Sequence, residues 1–270
     1  MGKEWLYTAP HESFAVNKMS PIKTAVAAAF SAAAESYDAG ADIQRLVADR
    51  LARRIKALTL PASARILEIG CGTGFLSSEL TGIEAADLVI TDISGAMLAR
   101  CRQRLGTQSA RFLVMDGENP NPAAGSGFDL ICSSLAFQWF DDLSVALTRL
   151  ASLLAPGGYL AFATLGAESF KEWHNAHLAL QLPSAVKAYP TAEGLSRMLP
   201  GACWVEDEHF VQHHTDGHGF LKQLKRIGAH HPVSDHRPLT PGTLRRVLRR
   251  FEGGISVTYH IAYGIWQRGA

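Results

Sequence analysis

Hydrophobic positions along this chain follow two rhythms. Over residues 41–58, Ile43, Leu46, Val47, Leu51, Ile55 and Leu58 recur at i, i+3/i+4 with the arginines largely off that stripe, which predicts an amphipathic helix. An Ala-rich stretch over 22–35 predicts a helix before it, joined through Ser36-Tyr37-Asp38. Beyond Pro61 the rhythm changes to short, continuously apolar runs at 66–69, 88–92, 111–116, 128–134 and 159–164, the pattern of strands buried on both faces. Helical segments alternate with them: one opening at 75–80, then 94–105, 141–154 with Pro156-Gly157-Gly158 as its stop signal, and 168–181. An extended run at 204–214, helices at 219–227 and 241–250, and a closing strand at 255–266 complete the chain. This order predicts an α/β fold: five parallel strands plus an antiparallel pair, with helices inserted before the last strand.

The densest chemical signal lies at the end of the first strand, in Ile66-Leu67-Glu68-Ile69-Gly70-Cys71-Gly72-Thr73-Gly74. A Gly-rich turn between strand and helix lets the backbone approach a ligand where a Cβ would block it. The helix N-terminus behind it favours negative ligand groups. The spacing is Gly-x-Gly-x-Gly, not the dinucleotide Gly-x-Gly-x-x-Gly, and an acid precedes it inside the strand. Both features resemble motif I of the class I S-adenosylmethionine (SAM) methyltransferases. Asp92, 22 residues after Gly70, stands where an acid can accept from both ribose hydroxyls, or cap the following helix. Ile93 and Met97 follow it, Met97 at a position to pack on adenine. Asp116-Gly117 ends the third strand, where the acid can accept from an adenine amino group or simply shape a turn. Ser133 and the aromatic run Phe137-Gln138-Trp139-Phe140 leave the fourth strand into the ligand crevice.

Composition narrows the class. The 270 residues are 47% hydrophobic and 19% charged, suited to one domain with a sizeable core. No apolar run approaches a membrane span, the N-terminus lacks a signal-peptide core, and Leu6 replaces the Ser or Thr of a myristoylation signal. Either Met1 or Met19 serves as the start. The four cysteines form no Cys-x-x-Cys pair, which fits reduced thiols in a cytoplasm. A net charge of +1 argues against a general nucleic-acid binder. His213, His214, His218, His230, His231 and His236 lack metal-ligand spacing and read as loop histidines, so no metal is expected. There is no Gly-x-Ser-x-Gly elbow and no P-loop lysine.

From about Val26 to Trp266 the chain resembles the BioC family, the malonyl-acyl-carrier-protein O-methyltransferases of biotin synthesis. Many SAM methyltransferases share the segment from Leu67 to Gly74. Ala29-Phe30 through Ser36-Tyr37-Asp38, Ala41-Asp42-Ile43-Gln44 and Leu135-Ala136-Phe137-Gln138-Trp139 are more specific. Ile227-Gly228-Ala229 and Thr258-Tyr259-His260 are the most specific. The resemblance implies a Rossmann-like class I fold with an N-terminal helical lid over 1–60, a cofactor core over 61–182 and a substrate-side part over 183–270. It also implies SAM as cofactor, held by Glu68, Gly70, Cys71, Gly72, Gly74, Asp92, Ile93, Met97, Asp116, Gly117 and Ser133. The lid tyrosine carries to Tyr37, with Gln138 and His260 as further candidates to steer the substrate. Such enzymes methylate the free carboxylate of a malonyl thioester, on acyl carrier protein or coenzyme A, which needs no general base because the carboxylate is already ionised. A carboxyl methyltransferase for another small acid, or a methyltransferase-like assembly factor of respiratory complex I, remain as alternatives.

Charge adds one expectation. Between Lys222 and Arg250 stand Lys222, Lys225, Arg226, Arg237, Arg245, Arg246, Arg249 and Arg250 against Asp235 alone, a local charge of +7. The last four share a helical face. Such a patch suits an acidic carrier protein.

Overall fold

In the computed structural model, residues 19–83, 85–106, 109–184, 186–229 and 239–269 are described. Met1 and the rest of the N-terminal extension to residue 18, and His230, His231, Asp235, His236 and Arg237, lie outside them. The chain opens with α1 (Pro21–Ala33), a single 3₁₀ turn at Tyr37–Gly40, and α2 (Asp42–Lys56). Ser20 caps α1 by accepting from Lys23 N, and Pro21 sits in its first turn.

A seven-stranded sheet follows. Its strands are β1 (Ala64–Ile69), β2 (Ala85–Asp92), β3 (Arg111–Val114), β4 (Phe128–Ser134), β5 (Leu154–Leu165), β6 (Cys203–His214) and β7 (Ile255–Gln267). They stand in the order β3-β2-β1-β4-β5-β7-β6. The first five run parallel, and β7 lies antiparallel to both β5 and β6. The expected antiparallel pair is present, and only β7 runs against the rest. Strand order reverses between β1 and β4, so their carboxyl ends open the crevice at which such sheets bind ligands.

The helices α3 (Phe75–Leu80), α4 (Gly95–Leu105), α5 (Leu143–Ser152), α6 (Lys171–Leu178), α7 (Ala192–Ser196), α8 (Gly217–Arg226) and α9 (Pro241–Leu248) cover the two faces. One face packs under α2, α3, α4, α6, α8 and α9, with Leu51 and Ile55 of α2 fully buried. The other packs under α5 and α7, with Leu147, Leu150 and Leu195 at its centre. Ile66 and Leu67 face opposite cores, which is why β1 has no polar alternation.

Three boundaries differ from expectation. The Pro156-Gly157-Gly158 segment does not follow a helix stop; it is absorbed into β5, which begins at Leu154. The β4–β5 register shifts there, from Phe128↔Leu154 to Leu130↔Tyr159, so the turn residues form a bulge. Second, α6 is shorter than 168–181, because Phe170 enters at φ +60° and the residues before it turn back on Gly166. Third, α7 occupies a stretch without helical periodicity; Thr191 caps it.

Candidate active site

A cavity of about 910 Å³ opens at the carboxyl ends of β1, β2, β3 and β4, under α1 and the Tyr37–Gly40 turn. Its floor is the glycine turn. Gly70 has φ +70°, and a Cβ there would lie 2.4 Å from Ala136 Cβ, so only glycine lets the two loops meet. Asp92, 7% exposed, joins this turn to the end of β2. Its Oδ2 accepts from Gly72 N and its Oδ1 from Ser94 N, both at 2.8 Å. Ser94, not Asp92, caps α4 by accepting from Met97 N. Each Asp92 oxygen therefore keeps a lone pair for a ligand hydroxyl. Burial pushes the Asp92 carboxyl up to about 6 while the backbone N–H groups pull it down.

Glu68 also lines the cavity and is buried. Its Oε2 accepts from Ser77 Oγ at 2.6 Å. Desolvation raises its carboxyl to about 8, so it is neutral at pH 7. Beyond Asp92 the walls are Ile93, Met97 and Met115, with Asp116 and Gly117 at the far end. The resident acid there is already paired: Lys23 Nζ of α1 lies 2.6 Å from Asp116 Oδ2 and 2.6 Å from Glu118 Oε2.

The first helix and the turn after it are pinned to the glycine turn and to α4 by side chains. Asp38 accepts from Thr73 Oγ1 at 2.6 Å and from Arg104, whose Nε also donates to Thr73 O at 2.8 Å. Ser31 Oγ meets Ser94 Oγ at 2.8 Å, and Phe30 packs edge-on against Trp139 at 5.5 Å. Tyr37, held between Asp38 and Phe30, lines the cavity; burial beside Asp92 and Asp38 raises its hydroxyl, which stays protonated at neutral pH.

Tyr37, Glu68, Gly70, Cys71, Gly72, Asp92, Ile93, Met97, Asp116 and Gly117 thus come together around one space. Four other candidates lie elsewhere. Ser133 is buried with its Oγ donating to Ile69 O, and the next residue, Ser134, lines the cavity instead. Gly74 sits behind the loop, where a Cβ would strike Cys101. Gln138 braces its own turn, donating to Leu135 O at 2.6 Å. His260 is 5% exposed on β7, stacked on His209 at 4.4 Å. Its Nδ1 accepts from Glu168 N, so Nε2 carries the ring proton, 3.1 Å from Asp207 Oδ1. Glu168, His209 and His260 gather their ligand atoms within 4.8 Å, but with Nδ1 engaged and Nε2 protonated His260 has no lone pair for a metal. Pattern reading gave no site role to Lys23, Phe30, Gln44 and Thr73, all in the cavity wall, whereas Trp139 and Phe140 of the aromatic run line it. Lys23 left one signal: it is the only charge in the Ala-rich run of α1.

The sheet order, the Gly-x-Gly-x-Gly turn and the acid at the end of β2 define a class I methyltransferase. A family model described as "Methyltransferase domain" matches residues 67–162. The solved DhpI–SAH complex shares the fold, with a TM-score of 0.59 at 16% identity over 94% of this chain and all of that one. Among curated proteins, the malonyl-[acyl-carrier protein] O-methyltransferase of Magnetococcus marinus is 44% identical over 241 residues, covering 86% of this chain and 88% of that protein. The biotin biosynthesis bifunctional protein BioCD of Bordetella avium is 50% identical over 246 residues, 90% of this chain, and the chain spans 52% of its length. The chain belongs to the malonyl-[acyl-carrier protein] O-methyltransferase family.

Two outcomes follow from the buried acids. Replacing Asp92 by Ala removes two charged acceptors facing the ribose position, and should weaken S-adenosylhomocysteine binding by about 2–4 kcal/mol in calorimetric titration. Affinity of the unmodified protein should also fall as pH drops through about 6, where Asp92 gains its proton. Asp92→Asn should abolish that dependence. Glu68 gives the opposite linkage. Its folded value of about 8 exceeds the unfolded one, so the folded chain keeps a proton that the unfolded chain releases, and stability is lost as pH rises from about 4.5 towards 8. Urea unfolding at both ends of that window should show Glu68→Gln gaining on wild type at the higher pH. An equal gap at both would mean Glu68 is ionised in the fold.

Proposed function

We propose that this protein transfers a methyl group from SAM to the free carboxylate of a malonyl group carried as a thioester on acyl carrier protein, making the methyl ester that begins the pimeloyl chain of biotin. The observation that carries the reading is the lining of the cavity. Acid acceptors stand at its ribose and adenine ends, a phenol and aromatic side chains close the other end, and no histidine lines it. That lining fits SAM: Asp92 has lone pairs for two hydroxyls, Ile93 and Met97 offer flat apolar walls, and Gly70 lets the backbone come close.

When bound, SAM supplies a methyl group on a cationic sulfonium. Transfer of that methyl to a malonyl carboxylate oxygen would exchange the S–CH3 bond for an O–CH3 bond and cancel the two opposite charges. No proton moves. The chain's residues therefore align and desolvate rather than act as acid or base. Tyr37 keeps its proton and donates to the carboxylate; α1 with Phe30 and Trp139 excludes water. Among the described residues the one cation in the wall is Lys23, and two acids at the adenine end neutralise it, so it does not draw the substrate carboxylate away from the methyl group. Residues up to 60 act as the lid, 61–182 as cofactor core and 183–270 as the substrate side. A cytoplasmic setting suits the four free cysteines. Among the described residues no helix is long and apolar enough to cross a membrane.

The carrier docks on the basic insert. Lys222, Lys225 and Arg226 on α8, and Arg245, Arg246, Arg249 and Arg250 at the end of α9 and beyond, are all exposed, and none makes an ion pair among the described residues. The insert sits against the lid: Ser36 Oγ donates to Arg226 O, and Gln223 Nε2 donates to Gly40 O at 3.1 Å.

Methyl transfer to purified malonyl carrier protein, compared with malonyl coenzyme A and with small free acids, tests the reading. Absence of transfer to any malonyl thioester overturns it. Tyr37→Phe should cut kcat about tenfold or more with SAM affinity held, since it removes one donor to the reacting carboxylate. Reversal of Arg245, Arg246, Arg249 and Arg250 to Glu should raise KM for the carrier-bound substrate several-fold and flatten its salt dependence, leaving malonyl coenzyme A unaffected. An unchanged KM would place the carrier elsewhere.

A further inference from the structure

Lys23 is a costly residue to place where it is. It is 4% exposed, and its Nζ sits 2.6 Å from each of two carboxylates, with the Phe140 ring 5.8 Å away. Burying an ammonium is unfavourable unless it is fully paired. Here two carboxylates take the ammonium, and most of the other acceptor positions of the two acids are filled. Glu118 holds the N–H of Asp141 and of Asp142, each at 2.8 Å, and so fixes the turn after Phe140. Asp116 Oδ2 takes Lys23 and Asn119 Nδ2, the latter at 3.0 Å. Asp116 Oδ1 takes only Glu118 N at 3.0 Å. One oxygen of Asp116 is therefore saturated and the other keeps one lone pair, on a residue that lines the cavity.

We propose that Lys23 sets the purine selectivity of the cofactor site. By filling Oδ2 it fixes the orientation of Asp116 and leaves Oδ1 as a one-sided acceptor, which demands a donor at the purine 6-position and rejects a carbonyl there. Because Lys23 rides on α1, this reading of the base is made only with the lid helix in place. The inference rests on the SAM reading above. Lys23 is a positioning residue, acting on the purine through Asp116.

The carbonyl analogue makes the test specific. S-adenosylhomocysteine carries an amino group at position 6, and S-inosylhomocysteine carries a carbonyl. Both are titrated calorimetrically into the wild-type protein, Lys23→Met and Ser31→Ala. Wild type should prefer the amino ligand by about tenfold or more, the worth of one charge-assisted bond against an unpaired acceptor. In Lys23→Met Asp116 loses the contact that fixes Oδ2, its carboxyl group is free to turn away from the purine, and the preference for the amino ligand should fall several-fold. Ser31→Ala loosens α1 without touching Asp116, and should weaken both ligands equally. Should Lys23→Met fail to fold, Lys23→Arg, which re-aims the carboxylate, should still lower the preference. Equal losses for both ligands in the Lys23 variants would reduce Lys23 to a staple of α1 and overturn the proposal. Failure of wild type to bind either ligand would overturn the SAM reading itself.

Discussion

The Asp92 carboxylate takes the N–H of Gly72 with one oxygen and the N–H of Ser94 with the other, at the exit of β2. This interaction holds two chain reversals at once, the glycine turn after β1 and the entry to α4. Cys71 N and Gly74 N have backbone partners of their own, but without Asp92 the N–H groups of Gly72 and of Ser94, the cap of α4, would have none. The carboxylate is nearly buried and its charge is expensive there, which is why it is raised to about 6 rather than left in the ordinary range. Strain of this sort belongs at a site awaiting a partner: two ligand hydroxyls would complete the solvation that the fold has half supplied.

A second constraint shapes the other end of the cavity. Gly70 and Ala136 can approach only because Gly70 has no side chain, and Leu135 accepts φ +53° to bring Ala136 into position. Gln138 secures that bend by donating to Leu135 O. Its role is thus to shape the wall, although it never reaches the cavity. Carboxyl methylation asks for such a wall more than for a catalytic base. The nucleophile is already charged, and a closed, weakly polar space favours a step in which two charges disappear.

The core of this fold could be read from periodicity because β1, β2, β4 and β5 are buried on both faces and the intervening helices are short, whereas β3 is a half-exposed edge strand. The glycine turn, Asp92, Met97 and Asp116 were readable for the same reason: strand ends in such a sheet converge, so spacing along the chain translates into position. What spacing could not supply was facing and partnership. Ser133 and Ser134 differ by one residue, and the strand period of two sends only Ser134 to the cavity. His260 sits in a distinctive motif, yet its ring accepts from Glu168 N and faces Asp207 at 3.1 Å, both distant in sequence. Lys23 finds Asp116 93 positions away. No local pattern encodes that pairing.

Those distant pairings tie three parts of the chain into one device. The lid reaches the cofactor loop through Asp38 and Thr73, and the adenine end through Lys23. From the opposite side the C-terminal insert reaches the lid: Gly228, at φ +72°, lies so close to α1 that a Cβ would come within 3.1 Å of Ala29 O. Gly228 stands in the Ile227-Gly228-Ala229 segment, and its contact is with the lid rather than with the cavity. The insert also carries the exposed basic residues of α8 and α9. The insert touches α1 at Gly228 and the turn after α1 at Arg226 and Gln223, while α1 touches Asp116 and Glu118 through Lys23. If the basic insert is the docking surface proposed above, α1 and its following turn touch both that surface and the cavity wall, the arrangement required for a site that closes only when cofactor and carrier are both present.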